Sequence, residues 1–541
     1  MTDRHTVYSL LDSPGCDPRK TWTTGNVAEA FPGVFTTFGF TFIHEPMELA
    51  FRKMFVRLGV FAPSQIVLPD RIEDMFWTLF AGRAAANIDM FRDLANLIPG
   101  TSPTAVEQQL FGYVRPTTVD APSYRRYPAI LAKAPWTVAT LPRRHDAMFA
   151  GLRRWRLDRL ADMAARTESE CLDILADARK RFEQIMIEHL VVAFVSSGLA
   201  DRLRDTVAEL GHPGLEAQLM SGVGSDENEV AHDLWALAHD EITLDTFCDR
   251  HGYHGSNEGQ LSGVSWREDP GPILNRLGDY RAIAADSPRA PRQRSREQAA
   301  VRERAMAELS SATSGFSRRT VSMLTGVTAR FLALREQGKA GYLLTFDVAR
   351  AATRRLGGHL VARGVIDRVE DVFHLSYDEL VRGVDGDHRE LVADRSAVYQ
   401  ERLAYRLPQS WTGQPEVRKA GEATAVTPSD PGIITGVAAS GGVVEGRARV
   451  VRDPDTVELE EGDILVCETT DPSWVSLFLV AGGVVTDHGG LLSHGPIVAR
   501  ELGIPCVCGT ENGSYRIEDG QLLRLNGDLG TVEILGPQAA P

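Results

Sequence analysis

His494 is the side chain in this sequence best placed to act as a nucleophile. It stands in the stretch Thr486-Asp487-His488-Gly489-Gly490-Leu491-Leu492-Ser493-His494-Gly495-Pro496, which runs on through Ile497 to Pro505. A neutral imidazole can attack a phosphoryl group and carry it as a phosphoramidate. Such an intermediate needs something to hold its oxygens. Gly489 and Gly490 let the backbone approach a phosphate closely, and Ser493 offers a hydroxyl. His488 stands before the glycines and reads as structural. Arg500 would help only if the fold returned it toward the phosphate.

The elements around this stretch would do the positioning. An apolar run from Val480 to Val485 predicts a buried strand. After the glycines a helical spacing begins, closing at Leu502-Gly503 with Pro505 just beyond. Strand, glycine turn and helix in that order put His494 at a helix N-terminus, where free N–H groups and the dipole favour an anion. Many α/β folds share that local shape with a capping histidine in the same place, so the spacing by itself leaves both roles open.

The full wording is more specific. Gly-Gly-Leu-Leu-Ser-His followed by Ile-Val-Ala-Arg-Glu-Leu-Gly-Ile-Pro resembles the signature of the swivelling phosphohistidine domain of the phosphoenolpyruvate-utilising enzyme family. Thr470-Asp471-Pro472-Ser473-Trp474 and the opening Gly436 to Gly446 look like the same domain. The resemblance puts the phosphorylated histidine on His494. Where family members often have Ala after it, Gly495-Pro496 stands here, and proline suits a first helical turn.

The middle of the chain resembles the central region of rifampin phosphotransferases: Phe247-Cys248-Asp249-Arg250-His251-Gly252-Tyr253-His254-Gly255-Ser256-Asn257-Glu258, then Ser265 to Pro270, and Asp371 to Leu380. Trp22 to Gly33 and Gly82 to Asn87 match more loosely. The resemblance departs at Ala85 and Ala86, where relatives tend to carry an aromatic, and at Arg335-Glu336-Gln337-Gly338-Lys339, which keeps part of an Arg-Glu-Asn-x-Arg pattern. It spans roughly residues 22–535 and implies a layout like that of rifampin phosphotransferase without its ATP-grasp domain.

The fold class expected is therefore multidomain α+β. A loose N-terminus (1–20) leads into a mostly helical substrate-binding domain (21–407). A Pro-, Gly- and Ser-rich linker (408–431) joins it to a compact α/β phosphohistidine domain (432–541). Within the first domain the apolar spacing predicts helices from Met47 to Leu58, Asp74 to Ile98, 147 to 210, about 296 to 337, and Phe346 to Arg363, with 285–298 an exposed connection. In the last domain short apolar runs predict strands at Ala448–Val451, Ile464–Cys467, Val484–Thr486, Cys506–Cys508 and Leu522–Leu525.

Composition bounds the remaining choices. The 541 residues are 43% hydrophobic and 24% charged, with a net charge of −15. That balance argues against general nucleic-acid binding or attraction to anionic lipid. From Gly432 onward there are six arginines, no lysine and sixteen carboxylates, so the last domain is strongly acidic. The six cysteines form no Cys-x-x-Cys pair and no zinc spacing, and no metal site is expected. Reduced thiols, a start without a signal peptide and no apolar run near the roughly 18 residues of a membrane span point to the cytoplasm.

No Gly-x-x-x-x-Gly-Lys-Ser/Thr loop is present. The resemblance thus implies a phosphotransferase subunit that binds no cofactor tightly itself. ATP and Mg2+ are expected on a separate ATP-grasp protein, a split with a precedent in phenylphosphate synthase. The phosphoryl group would pass from His494 to a small-molecule acceptor, with His254 and Glu258 the candidate bases on the acceptor side and His251 and His374 behind them. The cluster of Phe31, Phe35, Phe38, Phe40, Phe42, Phe51, Phe55 and Phe61 with Met47 and Met54 is either plain core or the wall of a hydrophobic acceptor pocket. The alternative to an enzyme is a phosphohistidine-bearing regulator or a degenerate ligand-binding relative.

Overall fold

Thr36 caps a helix that runs from Thr37 to Arg57, its side chain accepting the Gly39 N–H at 3.1 Å. The helix thus begins ten residues before Met47 and carries Pro46 inside it. In the computed structural model the described residues are 15–25, 27–99, 101–104, 106–107, 118–223, 226–287, 290–313, 315–419, 432–452, 454, 457, 459–470, 474–478, 480–490, 494–510 and 512–537. They divide into two units. The first is Met1–Leu190, Asn257–Gly263 and Gly341–Ala425; the second is Val191–Ser256, Val264–Ala340 and Val426–Pro541.

The first unit joins long helices to a four-stranded antiparallel sheet of order β2-β3-β1-β5, made of β1 (Thr21–Thr23), β2 (Trp77–Phe80), β3 (Arg83–Asn87) and β5 (Ser410–Thr412). A small ladder pairs β4 (Tyr405–Arg406) with β6 (Arg418–Lys419). Two expectations change here. The stretch from Asp74 to Ile98 is not one helix: β2 and β3 form a hairpin through Ala81 (φ 46°) and Gly82 (φ 75°), and only Ile88–Ala95 is α-helical. Positive φ at both turn residues suits the twist of a two-residue hairpin. The described first half of the predicted linker is not a loose connection either. Trp411 is buried, with its ring 5.1 Å from Phe80, which in turn meets Trp22 at 5.1 Å. Residues 420–431 lie outside the described ones.

The chain is also tied down at its start from Cys16 on, since Trp22 Nε1 donates to Cys16 Sγ at 3.1 Å and the Asp17 N–H donates to Glu73 at 3.0 Å. Residues 1–14 lie outside the described ones.

The helical stretch expected over 147–210 is two helices, Tyr127–Leu160 and Glu168–Glu209. The helices expected at 296–337 and 346–363 are Pro291–Ala312 and one long helix, Gly315–Ala362. The Glu168–Glu209 helix contains a window long and apolar enough to cross a membrane, contrary to the reading from the sequence. Its Glu188 is buried and paired with Arg57 and, at 3.2 Å, Arg144, and Ile185, Met186, Val191 and Val192 are buried. A buried, ion-paired glutamate in that window is the behaviour of a core helix.

The Phe-rich stretch packs as core. Phe38, Phe40 and Phe42 are fully buried, with rings meeting Phe373, Trp77 and Tyr377. The rings of Phe51, Phe55 and Phe61 gather on Phe76. Ala85 and Ala86 are buried in β3.

The second unit holds the helices Asp226–Ala238, Leu244–His251, Gly271–Ala282 and Pro291–Ala312 and an eight-stranded sheet of order β7-β14-β13-β9-β10-β11-β12-β8. Its strands are β7 (Ile433–Thr435), β8 (Val437–Ser440), β9 (Val443–Val450), β10 (Ile464–Cys467), β11 (Gly483–Thr486), β12 (Cys506–Cys508), β13 (Gln521–Asn526) and β14 (Thr531–Pro537). β9, β10, β11 and β12 run parallel, and every residue of β10, β11 and β12 is buried. Strands covered on both faces read as unbroken apolar runs, which is why the expected β10 and β12 coincide with the observed ones.

Candidate functional site

The strand–turn–helix shape around His494 is present. β11 ends at Thr486, the chain turns through Asp487, His488, Gly489 and Gly490, and a helix runs from His494 to Leu502 before β12. His494 is thus the first residue of its helix. Its side chain, and Ser493 altogether, lie outside the described residues.

The turn is held from beneath. Asp487 is 1% exposed and accepts from Thr510 Oγ1 and the Ser514 N–H, both at 2.9 Å, and from Ser514 Oγ. Burial pushes its pKa up, while the bonds to Ser514 pull the other way. Strand-like bonds carry the pairing past the end of β11: the Asp487 N–H donates to the Cys467 carbonyl at 3.1 Å and the His488 N–H to the Glu468 carbonyl at 2.9 Å. Thr486 Oγ1 donates to the His488 carbonyl at 2.9 Å. Gly489 has φ 115°, a backbone conformation that side chains resist.

Gly495 lies in the first helical turn, where a Cβ would come within 2.9 Å of Thr470 Oγ1. An alanine after His494 would require Thr470 to shift. The far end of the same helix rests on the rest of its unit: Leu502 packs against the cluster of Leu234, Trp235, Ile273 and Leu277, and the Arg276 guanidinium donates to the Pro454 carbonyl.

The candidate acceptor-side residues are buried. His254 is 1% exposed, its ring 4.2 Å from that of Tyr253 and 5.4 Å from that of Trp266. Glu258 is 3% exposed, in a loop whose carbonyls at 258 and 260 accept from the buried Arg350. The two residues fall on opposite sides of the boundary at Ser256 and Asn257, so they belong to different units.

His251, ranked behind them from sequence, has the more defined geometry. Its Nε2 lies 2.8 Å from Asp233 Oδ2, and Arg250 Nη1 grips the same carboxylate at 3.0 and 3.1 Å. The bond to His251 is the main influence holding the Asp233 carboxyl below its usual range. His251 Nδ1 is buried without a hydrogen-bond partner among the described residues. An aspartate that fixes one imidazole nitrogen defines the state of the other. Nothing in the local sequence signalled this pair, because Asp233 comes from a neighbouring helix. Among the described residues no three His, Cys, Asp or Glu side chains gather as a metal-binding set.

Comparison with known proteins agrees with this geometry. Residues 459–530, which contain β10 to β12 and the His494 helix, match the family described as PEP-utilising enzyme, mobile domain. This segment of the chain is thus similar to the mobile domain of phosphoenolpyruvate-utilising enzymes. More particularly, residues 240–336 match the fourth domain of rifampicin phosphotransferase. A rifampicin phosphotransferase of Streptomyces sviceus is 29% identical over 454 residues, 75% of this chain and 51% of that protein. One of Bacillus cereus is 31% identical over 54% of this chain and 34% of its own length. An uncharacterised protein of Mycobacterium tuberculosis is 36% identical over 39% of this chain and 24% of its own. The matched part therefore spans about a quarter to a half of these relatives' length.

Proposed function

We propose that this chain is the phosphohistidine-carrying part of a phosphotransferase. An imidazole nitrogen of His494 attacks a phosphorus of ATP bound on an ATP-grasp protein. The P–N bond forms as the P–O bond to the departing nucleotide breaks. The helix N-terminus then holds the phosphoryl oxygens. In the second step an oxygen of a small acceptor attacks the same phosphorus, the P–N bond breaks, and the imidazole is regenerated. The acceptor proton passes to a base, for which His254, Glu258 and the Asp233-oriented His251 are the candidates. Mg2+ would be held with ATP on the ATP-grasp partner, where it would neutralise charge on the phosphates during transfer to His494. Phosphoryl transfer draws on positioning and charge stabilisation, and a carrier domain supplies the positioning.

The observation that carries this reading is His494 at the first residue of a helix inside the segment matched to the mobile domain. The names of the relatives support the reaction class. The test is labelling with radioactive ATP and a candidate ATP-grasp protein. The chain should gain an acid-labile, base-stable phosphate. His494→Ala should abolish it at an unchanged melting temperature, and His488→Ala should keep it. Label that persists in the His494 variant, or that sits on a serine, overturns the mechanism.

A further inference from the structure

Helix Arg389–Leu403 carries Arg395, Val398, Tyr399 and Arg402 at positions i, i+3, i+4 and i+7. That spacing defines one helix face, and in most helices the stripe facing the protein is apolar. Here two of its four members are arginines and one is a phenol. With Phe35, Thr37 and His374 they line a cleft of ≈ 10 Å³, room for about one water-sized group. All seven residues belong to the first unit.

Three independent features make this cleft suited to an anion. Thr37 is the first residue of the Thr37–Arg57 helix, so the positive end of a 21-residue helix contributes to the lining. Arg395 is 6% exposed; Glu379 holds its Nη1 and Nη2 at 2.7 and 2.8 Å, and the His374 carbonyl accepts from Nη1 at 2.9 Å. Its Nε, however, is buried with no hydrogen-bond partner among the described residues, and so is His374 Nδ1. Burial pushes the His374 pKa down and that of Tyr399 up, so imidazole and phenol are both neutral near pH 7 and both can donate. The charged neighbours of His374 are Asp371, Arg395 and Arg368, and Arg83 lies close enough to act on Tyr399. Buried donors left unmet cost free energy. One compact acceptor with negative charge would meet them together.

We propose that this cleft binds a single anionic atom, either a free halide or one oxygen of the carboxylate at the end of a small molecule. The site stands apart from the His494 chemistry and does not rest on it. The experiment uses the full chain in a buffer free of chloride and carboxylate, titrated with sodium chloride, sodium acetate and sodium phosphate. Calorimetry and melting temperature are the readouts. Arg395→Gln would also strip Glu379 of its ion pair, so Tyr399→Phe and His374→Ala carry the test.

Chloride or acetate should bind saturably, and each substitution should weaken binding about tenfold, the loss expected for one hydrogen bond to a charged group. Tighter chloride assigns the site to a free inorganic anion, and tighter acetate to a carboxylate-bearing molecule. A non-saturating response common to all three salts, saturable binding by phosphate alone, or affinities unchanged in both variants would each overturn the proposal. None of these outcomes alters labelling of His494, so the two readings fail separately.

Discussion

The turn before His494 and the aromatic core of the first unit treat their buried polar groups in opposite ways. Beneath the turn, Asp487 is sealed from solvent but accepts from Thr510 and twice from Ser514. In the first unit, His44 Nε2 and Trp77 Nε1 are buried with no hydrogen-bond partner among the described residues, their rings 5.7 Å apart and both packed on Phe40. A satisfied buried carboxylate fixes a backbone in one geometry. That holds the turn before His494 in one geometry. Unmet polar atoms among aromatics fix nothing and cost stability. The first unit is held instead by ring packing and by ion pairs such as Arg156 with Asp347 at 2.7 Å.

The largest effect is expected at Asp487. Asp487→Ala leaves the buried Ser514 N–H and Oγ without their acceptor, while Thr510 Oγ1 keeps the Thr486 carbonyl at 3.1 Å, and should cost roughly 3–4 kcal/mol, as the loss of a buried network does. Denaturant unfolding of the variant measures it. A cost below about 1 kcal/mol would mean that the turn is held by its backbone alone.

The next effect concerns His44. Burial lowers its pKa to about 4, against about 6.5 in the unfolded chain. The unfolded state therefore binds the proton first as pH falls. His44 contributes stability that is fully present above about pH 6.5 and is lost progressively down to about pH 4, on the order of 3 kcal/mol in total. Stability measured across that window should flatten in His44→Phe relative to the parent. An identical slope in both would mean that His44 gains a partner on protonation.

The smallest effect is Trp77→Phe. The indole N–H makes no hydrogen bond among the described residues, so its removal forfeits none. The cost should be no more than about 1–2 kcal/mol, from lost ring volume. A larger loss, read from the unfolding midpoint, would reveal a polar role for Trp77 and erase the contrast with Asp487.

Much of the region around His494 is legible in the sequence. Ile464–Cys467 and Cys506–Cys508 were read to the residue, and the helix after the glycine turn begins at His494. These elements are short and bounded by Gly and Pro. Two-sided burial makes the strands continuous apolar runs, so the pattern that defines each one lies within it. The proposal for His494 rests on such local wording too.

Where partners lie far apart in the chain, tertiary structure decided. Trp77 to Ala95 has the spacing and the alanines of a helix, yet β3 pairs with β1 some sixty residues upstream, and β1 in turn with β5 beyond residue 400. That pairing overrides local propensity. The same pairing turned Ser410–Thr412 from expected linker into sheet. Asp233 reaches His251 from another helix, and Thr37 reaches Arg395 and Tyr399 across the first unit. A polar stripe on one helix or a lone histidine on another carries no sign of what will face it. Only the packing of distant segments turns those residues into an oriented imidazole or an arginine-lined cleft.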